Sequence, residues 1–329
     1  MVAASNSRTP ARLGLILAAV LWSLGSVFMR VLREPLGFGL DAPQLSPLQI
    51  AFYRGLFGGT IVLMLVRRGE MTFRPRMALM MVVFAVMSGL YLSALGLGPA
   101  ANAIFLQNTA PLWVYVFAVL VLHEPVDRRG WETVLLGAAG AVVIVAGNWP
   151  RALPPAEQQT QILILLMGVG SGVVYAVVVL FLRALCDHSP AWLVALNLLG
   201  TALTLGLFVC FRDGPEVCWA WVTAPTARQV GVLVVFGAAQ MALPYWLFAR
   251  SLRAVSPQEA AIVTLLEPLL NPIWAYLITP EKDTPSVWMW AGGGLILFAL
   301  VWRYLPTKKE SMRSEREENA DLERDTARD

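Results

Sequence analysis

Two stretches decide the fold: ANAIFLQNTAPLWVYVFAVLVLHE, residues 101–124, and QEAAIVTLLEPLLNPIWAYLITPE, residues 258–281. Each is an apolar run with a proline at the same place and a glutamate at its end. Setting Pro111 opposite Pro268 needs no gap. In that frame Leu95 meets Leu252, Ala103 meets Ala260, Leu112 meets Leu269, Ala118 meets Ala275 and Leu120 meets Leu277. Glu124 then meets Glu281, Trp131 meets Trp288 and Gly137 meets Gly294. Apolar matches are cheap in hydrophobic sequence. Proline, glutamate, tryptophan and glycine in one frame are not. A second, shorter frame sets Ser46-Pro47 on Ser189-Pro190 and places Arg54 opposite Asn197.

Each stretch is long enough to cross hydrocarbon about 30 Å thick, which takes about 20 mostly apolar residues. The rest of the chain supplies more such runs. The candidate spans are Leu13–Leu32, Pro47–Val66, Met77–Leu97, Ala101–Leu122 and a short Trp131–Gly147, then Ile162–Leu185, Trp192–Phe211, Val230–Ala249, Ala260–Ile278 and Val287–Leu305. Hydrophobic residues are 57% of the 329, charged residues 14%, and mean hydropathy is +0.63. That balance is too apolar for a soluble domain, so lipid solvates part of the chain. The expected fold is an all-α membrane protein of ten transmembrane helices. Two halves of five helices, residues 1–149 and 150–305, precede a charged tail, 306–329. Five is odd, so the second half enters from the opposite side, an inverted-topology repeat typical of secondary transporters.

Lysine and arginine set the orientation. The N-terminal tail and even-numbered connections carry Arg8, Arg12, Arg67, Arg68, Arg74, Arg76, Arg128, Arg129, Arg183, Arg250 and Arg253, joined by Arg303, Lys308 and Lys309 near the last span. The odd-numbered connections carry Arg30, Arg33, Arg151, Arg212, Arg228 and Lys282. Fourteen against six puts both termini in the cytoplasm, with the tail there too, and the plasma (inner) membrane as the expected location. A net charge of +3 gives no reason to expect a nucleic-acid partner.

The sequence resembles the EamA branch of the drug/metabolite transporter superfamily over nearly all of residues 11–305. The resemblance rests on Leu21-Trp22-Ser23-Leu24-Gly25, Phe52-Tyr53-Arg54, Ala110-Pro111 and Glu267-Pro268-Leu269-Leu270, with Glu124 and Glu281 closing the fourth and ninth spans. It implies ten helices in two inverted five-helix repeats. It further implies a central cavity lined by spans one to four and six to nine, with five and ten peripheral. The family carries amino acids, other metabolites and drugs.

Charge deep in a span costs roughly 2.5–3.5 kcal/mol on insertion scales, so each instance needs a reason. Two charged side chains are clearly deep, Arg54 and Glu267. Thr264, Glu267 and Asn271 share one helical face beside Pro268, where a kinked backbone suits a ligand site. Glu267 is therefore a candidate substrate or proton site, with a structural acid as the competing reading. Arg54 cannot shuttle a proton but can hold a carboxylate or phosphate bidentately. Gln107, Asn108, Trp22, Tyr91, Tyr175, Asn197 and Tyr245 complete the candidate substrate-binding set, although packing or anchoring is the simpler explanation for any one of them. Glu124 and Glu281 read as interfacial acids, pairing with loop arginines such as Arg128. Gly55-xxx-Gly59 and Gly168-xxx-Gly172 are close-packing spacings.

Cys186, Cys210, Cys218, His123 and His188 match no metal-ligand spacing, so neither metal nor cofactor is expected. No GxxxxGK[ST] loop is present for direct ATP drive. No nucleophile–base pair suggests a catalytic residue, so an intramembrane lipid-acting enzyme is the weaker alternative. A passive channel fits the repeat less well than a rocking carrier does. The expected function is secondary transport of a small metabolite, an amino acid or similar polar organic solute moved by alternating access, with export as one direction, and a multidrug or organic-cation exporter of the same fold as the alternative. Expected partners are a small-molecule substrate and the bilayer, in a monomer or homodimer. C-terminal fusions to a reporter active only outside the cytoplasm should be silent, and an active fusion would reverse the orientation.

Overall fold

The computed structural model describes residues 2–151, 153–252 and 254–305. The expected tail, 306–329, lies outside the described residues. Among the described residues ten helices are long and apolar enough to cross a membrane. They are α1 Thr9–Arg33, α2 Pro47–Leu65, α3 Pro75–Leu97, α4 Ala100–Leu120, α5 Arg128–Gly147, α6 Pro155–Ala184, α7 Pro190–Asp213, α8 Ala227–Ser251, α9 Glu259–Ile278 and α10 Val287–Tyr304. Two short helices, Pro215–Thr223 and Pro280–Asp283, lie in the connections after α7 and α9.

Helix starts follow local chemistry. Proline occupies the first helical position of α2, α3, α6 and α7, where its missing N–H costs nothing. Ser46 and Gln49 form a capping box on α2, and Asp127 accepts from the Gly130 N–H at 2.6 Å on α5. That cap lengthens the expected short fifth span to 20 residues. The α6 helix starts seven residues ahead of the apolar run read from Ile162, because polar residues from Pro155 continue the same helix past the hydrocarbon.

The principal packing runs between the halves. Helix α1 packs on α8 and α9, α2 on α7 and α8, α3 on α6 and α7, α4 on α6 and α9, and α5 on α10. Exchanging the halves, α1 for α6 through α5 for α10, maps this set onto itself. Small residues allow the close approaches. A Cβ on Gly55 would lie 2.6 Å from the Leu198 carbonyl, and one on Gly140 would lie 2.5 Å from the Gly292 carbonyl. Gly55-xxx-Gly59 thus packs against α7, and Gly168-xxx-Gly172 against α4, both within the chain.

One charge departs from its sequence reading. Arg30 counted as a flanking charge of the first connection, yet it is fully buried. Its Nε donates to Asp283 Oδ2 at 2.7 Å and its Nη2 to Asp283 Oδ1 and Gly98 O, both at 2.8 Å. The Ala100 N–H and the Thr279 hydroxyl also donate to Asp283, at 2.7 and 2.6 Å. Lys282 joins Glu34 at 2.6 Å beside them, so two cations meet two anions. Burial alone would push the Asp283 carboxyl up. The hydrogen bonds and charge of Arg30, with those of Ala100 and Thr279, outweigh it and hold Asp283 below its ordinary value. The resulting stabilisation is present above the ordinary carboxylate range and is lost only as pH falls through the depressed value. Removing one partner of such a pair costs about 3–5 kcal/mol.

The same face has a second tie. Gln49, at the start of α2, donates to the Trp221 carbonyl ahead of α8. Gln229, at the start of α8, donates to the Leu40 and Pro43 carbonyls ahead of α2, at 2.8 and 2.9 Å. Each glutamine belongs to a capping box, so the clasp is anchored to the helix ends it joins.

The other sequence-read ion pairs also shift. Glu124 pairs with Arg183 at 2.6 Å, and Arg128 pairs instead with Glu132 at 2.8 Å. The physical reason is that α6 brings Arg183 alongside the end of α4, while Arg128 and Glu132 are one helical turn apart.

The α5–α10 contact gives a direct test. Gly140→Val forces backbone apart, and overpacking of this kind costs roughly 1–3 kcal/mol. Thermal unfolding in detergent should show a clear drop in midpoint. Gly294→Ala, which has nothing within 4 Å, should leave it unchanged.

Candidate functional site

Four spans lose regular α-geometry along their length. Helix α1 is interrupted at Leu24 and α4 at Asn108–Thr109; α8 carries a π-helical segment, Gly237–Ala242, and α9 is interrupted at Leu265. In the frame that sets Pro111 on Pro268, the α4 and α9 breaks coincide. Irregular backbone inside a membrane is tolerated only where protein or a polar cavity satisfies it. Here a cavity of ≈ 350 Å³ adjoins the disturbed segments of α4, α8 and α9, with Trp22 of α1 in its wall.

Nine of the eleven expected binding residues line that cavity: Glu267, Arg54, Thr264, Gln107, Asn108, Trp22, Tyr91, Tyr175 and Tyr245. Two do not. Asn271 is fully buried on α9 behind the wall, where its carbonyl accepts from Ser26 at 2.9 Å. Asn197 is buried on α7, which contributes no lining residue. Polar residues sharing a helical face with a site need not reach it, because neighbouring helices decide which part of the face the cavity sees. The expected lining pattern also changes. Helix α7 is replaced by α10, whose Leu300 and Tyr304 enter the wall, so α10 is not wholly peripheral.

The two charges face the cavity differently. Arg54 is buried; its Nη2 donates to Ser88 Oγ at 3.0 Å and its Nη1 to Gln240 Oε1 at 3.3 Å, while its Nε has no hydrogen-bond partner. The Phe236 ring lies 5.8 Å from the guanidinium carbon. Glu267 sits in the first turn of the half-helix Leu266–Ile278, where the positive helix end favours a carboxylate. No ion pair among the described residues joins it to Arg54. The cavity therefore presents a guanidinium and a carboxyl group that make no ion pair with each other.

Gln240 organises this centre from the π-segment. Its Oε1 receives Arg54, and its Nε2 donates to the Trp22 carbonyl at 3.1 Å, next to the α1 break. Trp22 meets Tyr245 edge-on at 5.3 Å and Phe248 at 5.5 Å. With Phe84, Met87, Tyr91, Tyr175 and Tyr304 they make a largely aromatic wall. Gln240 carried a sequence signal, a polar side chain within a span. Phe84, Met87 and Phe248 carried none, since they look like any core residue. Tyr304, closing the last span, reads as an interfacial anchor.

The cavity is asymmetric across the bundle. Its wall reaches Phe248 near the end of α8, Ala261 near the start of α9 and Tyr304 at the end of α10. By span parity these ends share the face where α1 begins. Toward the opposite face, the α1 contribution stops at Trp22, about 16 Å short of Arg33 at 1.5 Å per residue. The cavity thus leans to the N-terminal face and is closed beneath the Arg30–Asp283 knot.

Comparison with known proteins agrees with this architecture. The model of the EamA-like transporter family matches twice, at residues 9–146 and 162–305. An uncharacterized transporter of Archaeoglobus fulgidus is 30% identical over 295 residues, covering 88% of this chain and 95% of that protein. The pseudopaline exporter CntI of Pseudomonas aeruginosa is 25% identical over 293 residues, covering 87% and 94%. The S-adenosylmethionine uptake transporter of Rickettsia prowazekii is 21% identical over 311 residues, covering 92% and 97%. A solved crystal structure with 16% identity superposes at a TM-score of 0.58 over 90% of this chain and 97% of its own, a likeness of fold. Two family matches that span most of the sequence, on ten membrane-crossing helices, make this an integral multi-pass membrane protein, and the chain belongs to the EamA-like transporter family.

Proposed function

We propose that this transporter carries a small zwitterionic metabolite of the amino-acid kind by alternating access, with both termini in the cytoplasm of a plasma-membrane protein. The carrying observation is the uncompensated pair in the cavity. Arg54 lines the cavity with only neutral hydrogen-bond partners, Ser88 and Gln240, and Glu267 faces the same space without an ion pair to it. A ligand with a carboxylate and an ammonium group supplies what each lacks, and charge-assisted hydrogen bonds to such groups are the strong ones. The aromatic wall then takes the ligand's apolar part, and its ring faces also favour a cationic group.

Alternating access is supported by the packing. Residues 1–149 and 150–305 act in this reading as two inverted halves, and the contacts between them are unchanged by exchanging the halves. Relatives named for pseudopaline export and S-adenosylmethionine uptake place single small organic solutes within the family's range. In the conformation described, the site loads from the face of the N-terminus, which the arginine distribution assigns to the cytoplasm.

The test is counterflow in proteoliposomes with a panel of amino acids, their decarboxylated amines and organic cations. Saturable exchange should be seen for zwitterions. Glu267→Gln keeps the shape and should fold, but lose most transport. Loss of a hydrogen bond to a charged group is worth about 1.5–3 kcal/mol, so Kd should rise roughly 10- to 100-fold. Arg54→Lys should weaken zwitterion binding more than amine binding. Transport by Glu267→Gln equal to the parent would make the acid structural, and equal handling of amines and zwitterions by the parent would favour an organic-cation carrier.

A further inference from the structure

The two faces of the bundle carry ion pairs of the same construction. On one face Arg30, three residues before the end of α1, holds Asp283, which follows α9. On the other, Arg183, at the end of α6, holds Glu124, which follows α4. Exchanging the halves turns α1 into α6 and α9 into α4. The frame that sets Pro111 on Pro268 puts Glu124 opposite Glu281, two residues from Asp283. Each pair therefore ties the first span of one half to the exit of the fourth span of the other half. By span parity the two pairs lie on opposite faces.

Their surroundings are opposite too. The side chains of Arg30 and Asp283 are 0% and 1% exposed, while those of Arg183 and Glu124 are 57% and 37% exposed. The cavity leans toward the exposed pair and stops beneath the buried one. The pair on the face where the cavity stops is sealed by protein, and the pair on the face where the cavity wall reaches the helix ends is open.

We infer that Arg30–Asp283 and Arg183–Glu124 are the two alternating latches of this carrier, each drying and locking as its own mouth closes. The inference rests on the alternating-access reading above. A dehydrated ion pair is a strong tie only while water stays out. Once water enters, both ions regain hydration and the pair becomes worth little, as exposed pairs are. The latch therefore has two discrete states, as a mouth must. The surroundings of Arg30 suit this use. Gly98 O takes its second Nη2 bond and Asp283 is held by Ala100 and Thr279, so the closed pair leaves few polar groups unpaired. Those partners come from α1, the α3–α4 junction and the α9–α10 connection, so opening must separate all three together. On the other face Arg183 and Glu124 already touch at 2.6 Å, so closing that mouth needs drying of the pair and no new partner.

The test reads conformation without substrate. In full-length protein with Cys186, Cys210 and Cys218 replaced by Ser, Ser26→Cys places a thiol one turn below Arg30 in a fully buried position. A membrane-impermeant maleimide is applied from the face opposite the N-terminus. The parent should label slowly. Asp283→Asn should label at least about tenfold faster, because the outer-closed state loses its preferential tie. Asp283→Glu, which keeps the carboxylate for Arg30, should label close to the parent. The second latch is read in the same background. Glu124→Gln added to Asp283→Asn removes the tie that holds the other mouth closed, and should slow labelling relative to Asp283→Asn alone. Unchanged labelling on adding Glu124→Gln overturns the pairing of the two latches, and labelling in Asp283→Asn no faster than in the parent, or equally fast in Asp283→Glu, overturns the first. Counterflow measured on the same preparations separates the readings: labelling unmoved with counterflow present removes the latches and leaves the carrier, while absent counterflow in the parent removes the carrier itself.

Discussion

Hydrocarbon offers no hydrogen bonds, and that constraint governs this molecule at every level. It requires each span to satisfy its own backbone, so the crossings are helices. It also restricts where a helix can be broken. The breaks at Leu24, Asn108–Thr109 and Leu265 and the π-segment Gly237–Ala242 belong to spans that line the central cavity. Breaking a helix there frees carbonyls and N–H groups in a place that can hold water or a polar ligand. The Trp22 carbonyl, taken by Gln240, shows the same economy, since a side chain from one disturbed helix serves the backbone of another.

The same constraint separates two buried arginines. Arg30 has a carboxylate on two nitrogens and a backbone carbonyl on one of them, within a group of two cations and two anions. It is a closed electrostatic unit that wants nothing from a ligand. Arg54 has only neutral partners, Ser88 and Gln240, and an Nε with none. Burial is common to the two arginines; what separates them is that one meets a carboxylate and the other only neutral groups.

Ion pairs and glycine contacts join the halves in two different ways. The α5–α10 seam is backbone on backbone at Gly140 and Gly292 and suits a fixed contact. The faces around α1, α4, α6 and α9 are tied instead by polar groups whose strength depends on whether water is present. Apolar seams hold their strength across a small movement, whereas a dehydrated ion pair loses most of its strength once wetted.

The ten spans, the membrane setting and nine of the residues that meet in the cavity are legible in the order of the amino acids. They are legible because run length, charge asymmetry and isolated polar residues in apolar segments are local properties that any membrane imposes in the same way. The proline frame joining residues 101–124 to 258–281 added the relation between the halves. The rest depended on how the helices pack. Arg30 looks in sequence like any arginine flanking a span, and its partner Asp283 is 253 residues away. Asn197 and Asn271 look like site residues, yet packing turned one toward neighbouring helices at α7 and buried the other behind the wall. Tyr304 looks like an anchor and became wall. In each case the sequence fixes which helical face a side chain occupies, while the neighbours assembled around that helix fix whether the face meets lipid, another helix or the cavity.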